Sequence, residues 1–239
     1  MSNKTAPFAG PRSITLLPCW ARPLLVALAG SLLGACAQAH PDDHAAESGG
    51  AVEWPVSFAG IPQLGNALGS PSAPVTLVEL SDLRCSHCRD FDEHTLPVLV
   101  DRYVRSGRLR IVFENYPILG SGSVQAARLA VAAGLQGHEF ELIDAFFHLP
   151  PGPVSDDTLR RAASQVPGLD VEAAMAALDS PVVDGALAEA RGVARRFSID
   201  GTPSFLLGRT GAEPHTLPDA RATRPETLAG PIDEMLAQP

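Results

Sequence analysis

Cys85 and Cys88, in the tetrapeptide Cys85-Ser86-His87-Cys88, are the one cysteine pair in this 239-residue chain with the spacing of a reversible dithiol. If Cys85 opens a helix, its sulfur lies near unsatisfied backbone N–H groups and the positive end of the helix dipole, which favour thiolate over thiol. That makes Cys85 the candidate nucleophile. Cys88 falls on the same helical face one turn deeper, within reach of Cys85 but shielded, and is the candidate resolving thiol. His87 lies between them, where a donor or partial positive charge would stabilise the Cys85 thiolate further. A stabilised thiolate stabilises the reduced pair and makes its disulfide a stronger oxidant. Two other readings of the pair are weaker. A structural zinc needs about four ligands, yet no second cysteine pair exists, and beyond His87 only His94 is at hand. A purely structural bridge would close so short a loop that it restrains the unfolded chain little.

The elements around the pair are legible as hydrophobic patterns. Residues 75–80, Val-Thr-Leu-Val-Glu-Leu, read as a buried strand leading into the cysteines. A helix is expected from Cys85 through about residue 105, with Phe91, Leu96, Leu99 and Val100 on its apolar side, and a second strand at 109–113 follows the turn at Ser106-Gly107. Strand, helix, strand at this spacing implies a parallel pair joined by a right-handed crossover. Glu79 sits on the first strand, six residues before Cys85. An acid there is poor packing, and burial would raise its pKa. The competing reading has Glu79 reach solvent or pair with Arg108 or Arg110.

Upstream, 54–74 is loop-rich with a short edge strand expected at 56–58. Downstream, 124–197 is alanine-rich, with helices expected at 124–133, 138–148, 156–164, 171–178 and 183–197, the last from a stripe of Val183, Leu187, Ala190, Ala194 and Phe197. Strands are expected at 204–207 and 215–217, with a turn at 208–211, and a closing helix lies within 225–236, interrupted or restarted at Pro231. His138, His148 and His215 read as ordinary surface or boundary histidines.

The N-terminus reads as a targeting segment. Lys4, Arg12 and Arg22 precede an apolar run at 24–29, and Leu33-Gly34-Ala35-Cys36 ends it, which resembles a bacterial lipoprotein signal whose cysteine becomes the acylated first residue. Cys19 would leave with the signal and Cys36 would be blocked by lipid, so Cys85 and Cys88 remain as free thiols. The uncharged stretch is short against the roughly 20 residues of a spanning helix. The expected organisation is a signal at 1–35, a flexible tether at 36–53 and one domain at 54–239. His40, Asp42, Asp43, His44 and Glu47 in the tether lack preorganised geometry for a metal. With 45% hydrophobic residues and about 165 residues after Pro74, the chain can bury one substantial core. Removing 1–35 takes away three positive charges and no acid, so the net charge goes from −9 to −12, which argues against nucleic acid as a partner. Lys4 is the only lysine, so the mature chain has no amine for Schiff-base chemistry.

Four features in order resemble the DsbA-like thiol-disulfide oxidoreductases, a branch of the thioredoxin superfamily. They are residues 73–82, Cys85 to Cys88, the alanine-rich helices after Asn115-Tyr116-Pro117, and Gly201-Thr202-Pro203-Ser204-Phe205. The resemblance spans roughly 60–237 and implies an α/β thioredoxin-like fold, with a helical insertion at about 118–199 between the βαβ half that bears the cysteines and a ββα half. It implies that Cys85–Cys88 is a redox-active disulfide, that Glu79 lies beneath it as a proton carrier, and that Pro203 is a cis-proline facing it. Thr202 and Ser86 would join Pro203 in holding an extended substrate segment. Family oxidases have proline and histidine between their cysteines, and Ser86 stands here in the proline's place.

The function implied is an exported, periplasmic or extracytoplasmic dithiol oxidase, anchored by lipid at Cys36, monomeric, without metal or cofactor. It would act on exported protein thiols and be reoxidised by a membrane partner. A reductase or isomerase using the same site is the runner-up; family isomerases carry an N-terminal dimerisation domain for which the stretch between Cys36 and Pro74 is too short. A redox-inactive lipoprotein that binds peptides or copper is the alternative from another class.

Overall fold

The computed structural model describes residues 57–217 and 224–238. The expected signal, Cys36, the tether and residues 54–56 lie outside the described residues.

A six-stranded sheet runs in the order β1-β2-β4-β3-β5-β6. Its centre is β3 (Val75–Ser81), parallel to β4 (Leu109–Asn115) and antiparallel to β5 (Ser204–Arg209). Valine, isoleucine, leucine and phenylalanine dominate all three, as suits strands covered on both faces. The two-residue alternation of β3 sends Val75, Leu77 and Glu79 to one face and Thr76, Val78 and Leu80 to the other. Val75 and Leu77 join the large core, whereas Leu80 packs with Leu206 and Ala194 in a small cluster on the opposite face. Glu79 thus points into the large core, opposite Phe113 of β4 and Phe205 of β5 in register.

The segment after Cys85 departs from the single long helix expected. Helix α1 (Ser86–His94) stops at Thr95, α2 (Leu96–Leu99) follows, and a π-helical turn spans Val100–Val104. Pro97 is the cause: it cannot donate a backbone hydrogen bond and its ring crowds the preceding turn. Of the edge strand expected at 56–58, the described residues Ser57 and Phe58 are not in a strand. A hairpin of β1 (Gln63–Leu64) and β2 (Ala67–Leu68) forms instead, and β2 pairs with β4 through Ala67 opposite Val112. Its two-residue loop opens with Gly65 at φ 55°, a left-handed conformation that glycine adopts without steric cost.

Between β4 and β5 the chain is helical: α3 (Ser121–Gly134), α4 (Glu139–Phe147), α5 (Asp156–Ser164), α6 (Val171–Ala176) and α7 (Pro181–Arg196). Helix α7 starts at Pro181 behind the Ser180 cap, whose Oγ accepts the Val183 N–H, and buries Val183, Leu187, Ala190 and Ala194 as the stripe predicts. The short β6 (His215–Thr216) pairs with β5, and α8 (Pro225–Ala237) closes the domain. Pro231 does not interrupt α8; the helix loses one backbone bond there but is held by Leu228, Ala229 and Ile232 in the core.

Candidate active site

The loop from β3 to α1 is held by Asp82, which is 1% exposed. Its Oδ1 accepts the Arg84 N–H at 2.9 Å, and its Oδ2 accepts those of Ile118 and Leu119 at 2.7 and 3.0 Å. The Asp82 carbonyl also accepts the Cys85 N–H at 2.9 Å. One buried carboxylate therefore fixes the cysteine loop against the entry to the helical insertion. The sequence reading did not single it out; an aspartate closing a buried strand ahead of a turn is the signal that marks it.

Cys85 is the N-cap of α1, with extended backbone (φ −80°, ψ 123°), and is half-buried, whereas Cys88 is fully buried. The Cys85 sulfur lies 3.4 Å from the Thr202 carbonyl oxygen, to which the thiol form donates. Both cysteines are free thiols in this structure. The two differ in proton affinity. A hydrogen bond from Cys88 holds the Cys85 thiol down at about 5, against the opposing effect of partial burial, with help from the Thr202 side chain and the backbone N–H groups of Cys88 and His87. Burial pushes the Cys88 thiol up, and its hydrogen bond to Cys85 and the charge of Glu79 add to that.

Glu79 is 3% exposed, and burial lifts its carboxyl to about 8. Among the described residues it forms no ion pair; Arg108 instead donates to the Arg102 carbonyl at 2.8 Å and stacks on the Tyr103 ring. The His87 ring is 71% exposed and sits 3.9 Å from the Asp90 carboxylate, and the His87 backbone N–H helps to hold the Cys85 thiol down. Ser86 is exposed on the first turn of α1, and the Thr202-Pro203 peptide, which is cis, brings a half-buried Thr202 and a buried Pro203 to the Cys85 side. Cys85, Cys88, Glu79, Thr202 and Pro203 are thus brought together, and the exposed imidazole of His87 lies beside Asp90. No group of three or more histidine, cysteine or carboxylate residues is arranged to hold a metal ion among the described residues.

Residues 64–223 match the family model described as Thioredoxin. A thioredoxin-like oxidoreductase from Silicibacter pomeroyi is 30% identical in sequence, and the match covers 75% of this chain and 94% of that one with a TM-score of 0.59. BdbD from Bacillus subtilis shares the fold at a TM-score of 0.63 and 18% identity, over 73% of this chain and 94% of that one. A probable disulfide bond formation protein D from Bacillus cereus is 26% identical over 155 residues, covering 62% of this chain and 72% of that protein. With a family match over most of its length and a dithiol at the head of α1, the chain belongs to the thioredoxin family, as a thiol-disulfide oxidoreductase.

Proposed function

We propose that this oxidoreductase works in the oxidising direction, placing disulfides in exported proteins through Cys85 and Cys88 while lipid on Cys36 holds it at a membrane. The observation that carries the direction is the split between the thiols, one held down at about 5 and the other pushed up by burial. A stable Cys85 thiolate favours the reduced enzyme, and so makes the enzyme's disulfide a strong acceptor of electrons.

In the proposed cycle a substrate thiolate attacks the Cys85 sulfur and the Cys85–Cys88 bond breaks. Cys88 leaves with the electron pair and takes a proton from Glu79, whose raised pKa keeps it protonated at neutral pH. A second substrate thiolate then attacks the substrate sulfur of the mixed disulfide, and Cys85 departs as a thiolate. Two electrons have passed to the enzyme, and a membrane partner carrying a disulfide or equivalent oxidant removes them. Ser86, Thr202 and Pro203 would hold the substrate segment in extended form beside Cys85, and the His87 ring, exposed at the rim, would meet substrate and not the buried sulfur. The reading of 1–35 as a lipoprotein signal ahead of Cys36 supports export and anchoring.

Substitution of each cysteine tests the cycle on a reduced dithiol peptide. Cys85→Ser should abolish oxidation, and Cys88→Ser should keep attack at Cys85 and accumulate mixed disulfides; the reverse pattern would contradict the assignment.

A further inference from the structure

Two cations flank Cys85 that the exchange chemistry above does not use. Arg84 stands directly before it, and Arg89 lies one turn beyond it on the same face of α1. Both line a cleft of about 100 Å³ whose other walls include Leu83, Phe146, Leu149 and Val154, with no carboxylate among the described residues that line it. Arg84 is exposed and Arg89 half-buried. Among the described residues neither pairs with a carboxylate, whereas Arg102, Arg128 and Arg196 each do. Arg89 Nη2 lies 3.5 Å from the Leu149 carbonyl oxygen, which leaves most of its N–H donors, and all of those on the Arg84 guanidinium, open. The two are nonetheless held in place. Asp82 Oδ1 fixes the Arg84 backbone, and the guanidinium packs over Gly122 at the start of α3, where a Cβ would fall 3.1 Å from Nη1 and 3.2 Å from Val154 Cγ2. The Arg89 N–H donates to the Cys85 carbonyl at 3.1 Å. Asp82 Oδ2 holds the backbone of Ile118 and Leu119, whose exposed side chains add an apolar shoulder beside the arginines.

We infer that Arg84 and Arg89 form a specificity subsite for an acidic side chain of the substrate, about two residues from the cysteine that attacks Cys85. This rests on the thiol-disulfide chemistry proposed above and names the class of substrate it favours. A planar guanidinium with open donors matches a carboxylate, which accepts two parallel N–H bonds from it. The cleft is large enough for one side chain, and its apolar walls suit the methylene stem of an aspartate or glutamate. The spacing agrees. Arg89 is displaced about 6 Å from Cys85 along the helix, and two residues of an extended substrate segment advance about 7 Å. The protein as a whole carries a net charge of −9, so the attraction for an acidic segment is local to this cleft and falls off within about one screening length. Exported proteins whose cysteines have acidic neighbours are the substrates it selects.

The test is the second-order rate at which cysteine peptides with blocked termini reduce the Cys85–Cys88 disulfide of the full chain, followed by acid quench and thiol alkylation. One peptide carries glutamate on both sides of its cysteine, two residues away, and the other carries glutamine at the same places. The ratio of the glutamate rate to the glutamine rate should fall about fivefold from the parent to Arg84→Gln, and by a similar factor in Arg89→Gln. Any effect of a substitution on Cys85 itself, or of glutamate on the peptide thiol, cancels in this comparison of ratios. In about 1 M salt, where the screening length is about 3 Å, the parent's ratio should shrink toward that of the variants. The same ratio in the parent and both variants, or a difference that salt leaves intact, would overturn the subsite while leaving the redox site standing. Arg84 is exposed, so its variant carries the test even if Arg89→Gln folds poorly. A parent protein whose disulfide neither peptide reduces would overturn the redox reading and the subsite together.

Discussion

Cys88 lies fully buried one helical turn below the half-exposed Cys85, and the hydrogen bond between their sulfurs lowers the proton affinity of the first while raising that of the second. The stability of the reduced protein should follow. The folded pKa of Cys85, about 5, lies below its ordinary 9.0, so ionisation stabilises the folded reduced state, and that stability is lost as pH falls through about 5. Thermal unfolding of reduced and oxidised protein across this range should show the gap between them changing in that direction. The iodoacetamide reaction of Cys85 should titrate with the same midpoint, and Cys88→Ala should move the midpoint up.

Glu79 has the opposite sign. Its folded pKa of about 8 lies above its ordinary 4.5, so the folded chain keeps a proton that the unfolded chain releases, and Glu79 makes stability fall as pH rises between those values. Glu79→Gln should remove that slope in urea unfolding and raise stability at neutral pH. It should also slow turnover by about 10²-fold, because Cys88 loses its proton carrier.

Asp82 is expected to matter for stability more than for thiol chemistry. Asp82→Ala leaves three backbone N–H groups, those of Arg84, Ile118 and Leu119, without their acceptor. The expected cost is about 3 kcal/mol in urea unfolding, with Asp82→Asn between the variant and the parent.

Export and anchoring are tested separately from redox chemistry. Cys36→Ala, expressed from the full chain in a bacterial host, should lose incorporated palmitate and leave the membrane fraction, while oxidation of a soluble reduced peptide stays at the parental rate.

The parts of this fold that were legible in the sequence are those set by local periodicity. The alternation of Val75, Leu77 and Glu79 put the acid on a buried strand, and the stripe from Val183 to Ala194 marked α7. The break at Pro97 was legible in principle, but the apolar spacing of Leu96, Leu99 and Val100 on either side masked it. The hairpin at Gly65 has strands too short to leave a periodic trace. Least legible was the contact that Asp82 makes far along the chain with the backbone of Ile118 and Leu119. It joins residues whose neighbours in sequence say nothing of the partner, and it depends on how the helical insertion docks onto the loop ahead of α1.

The central claim, that the pair oxidises, is tested most directly by the equilibrium reduction potential of Cys85–Cys88 in a glutathione redox buffer. The split between the thiols predicts a potential more oxidising than about −180 mV. A value near about −270 mV would identify a reductase and contradict the oxidising direction.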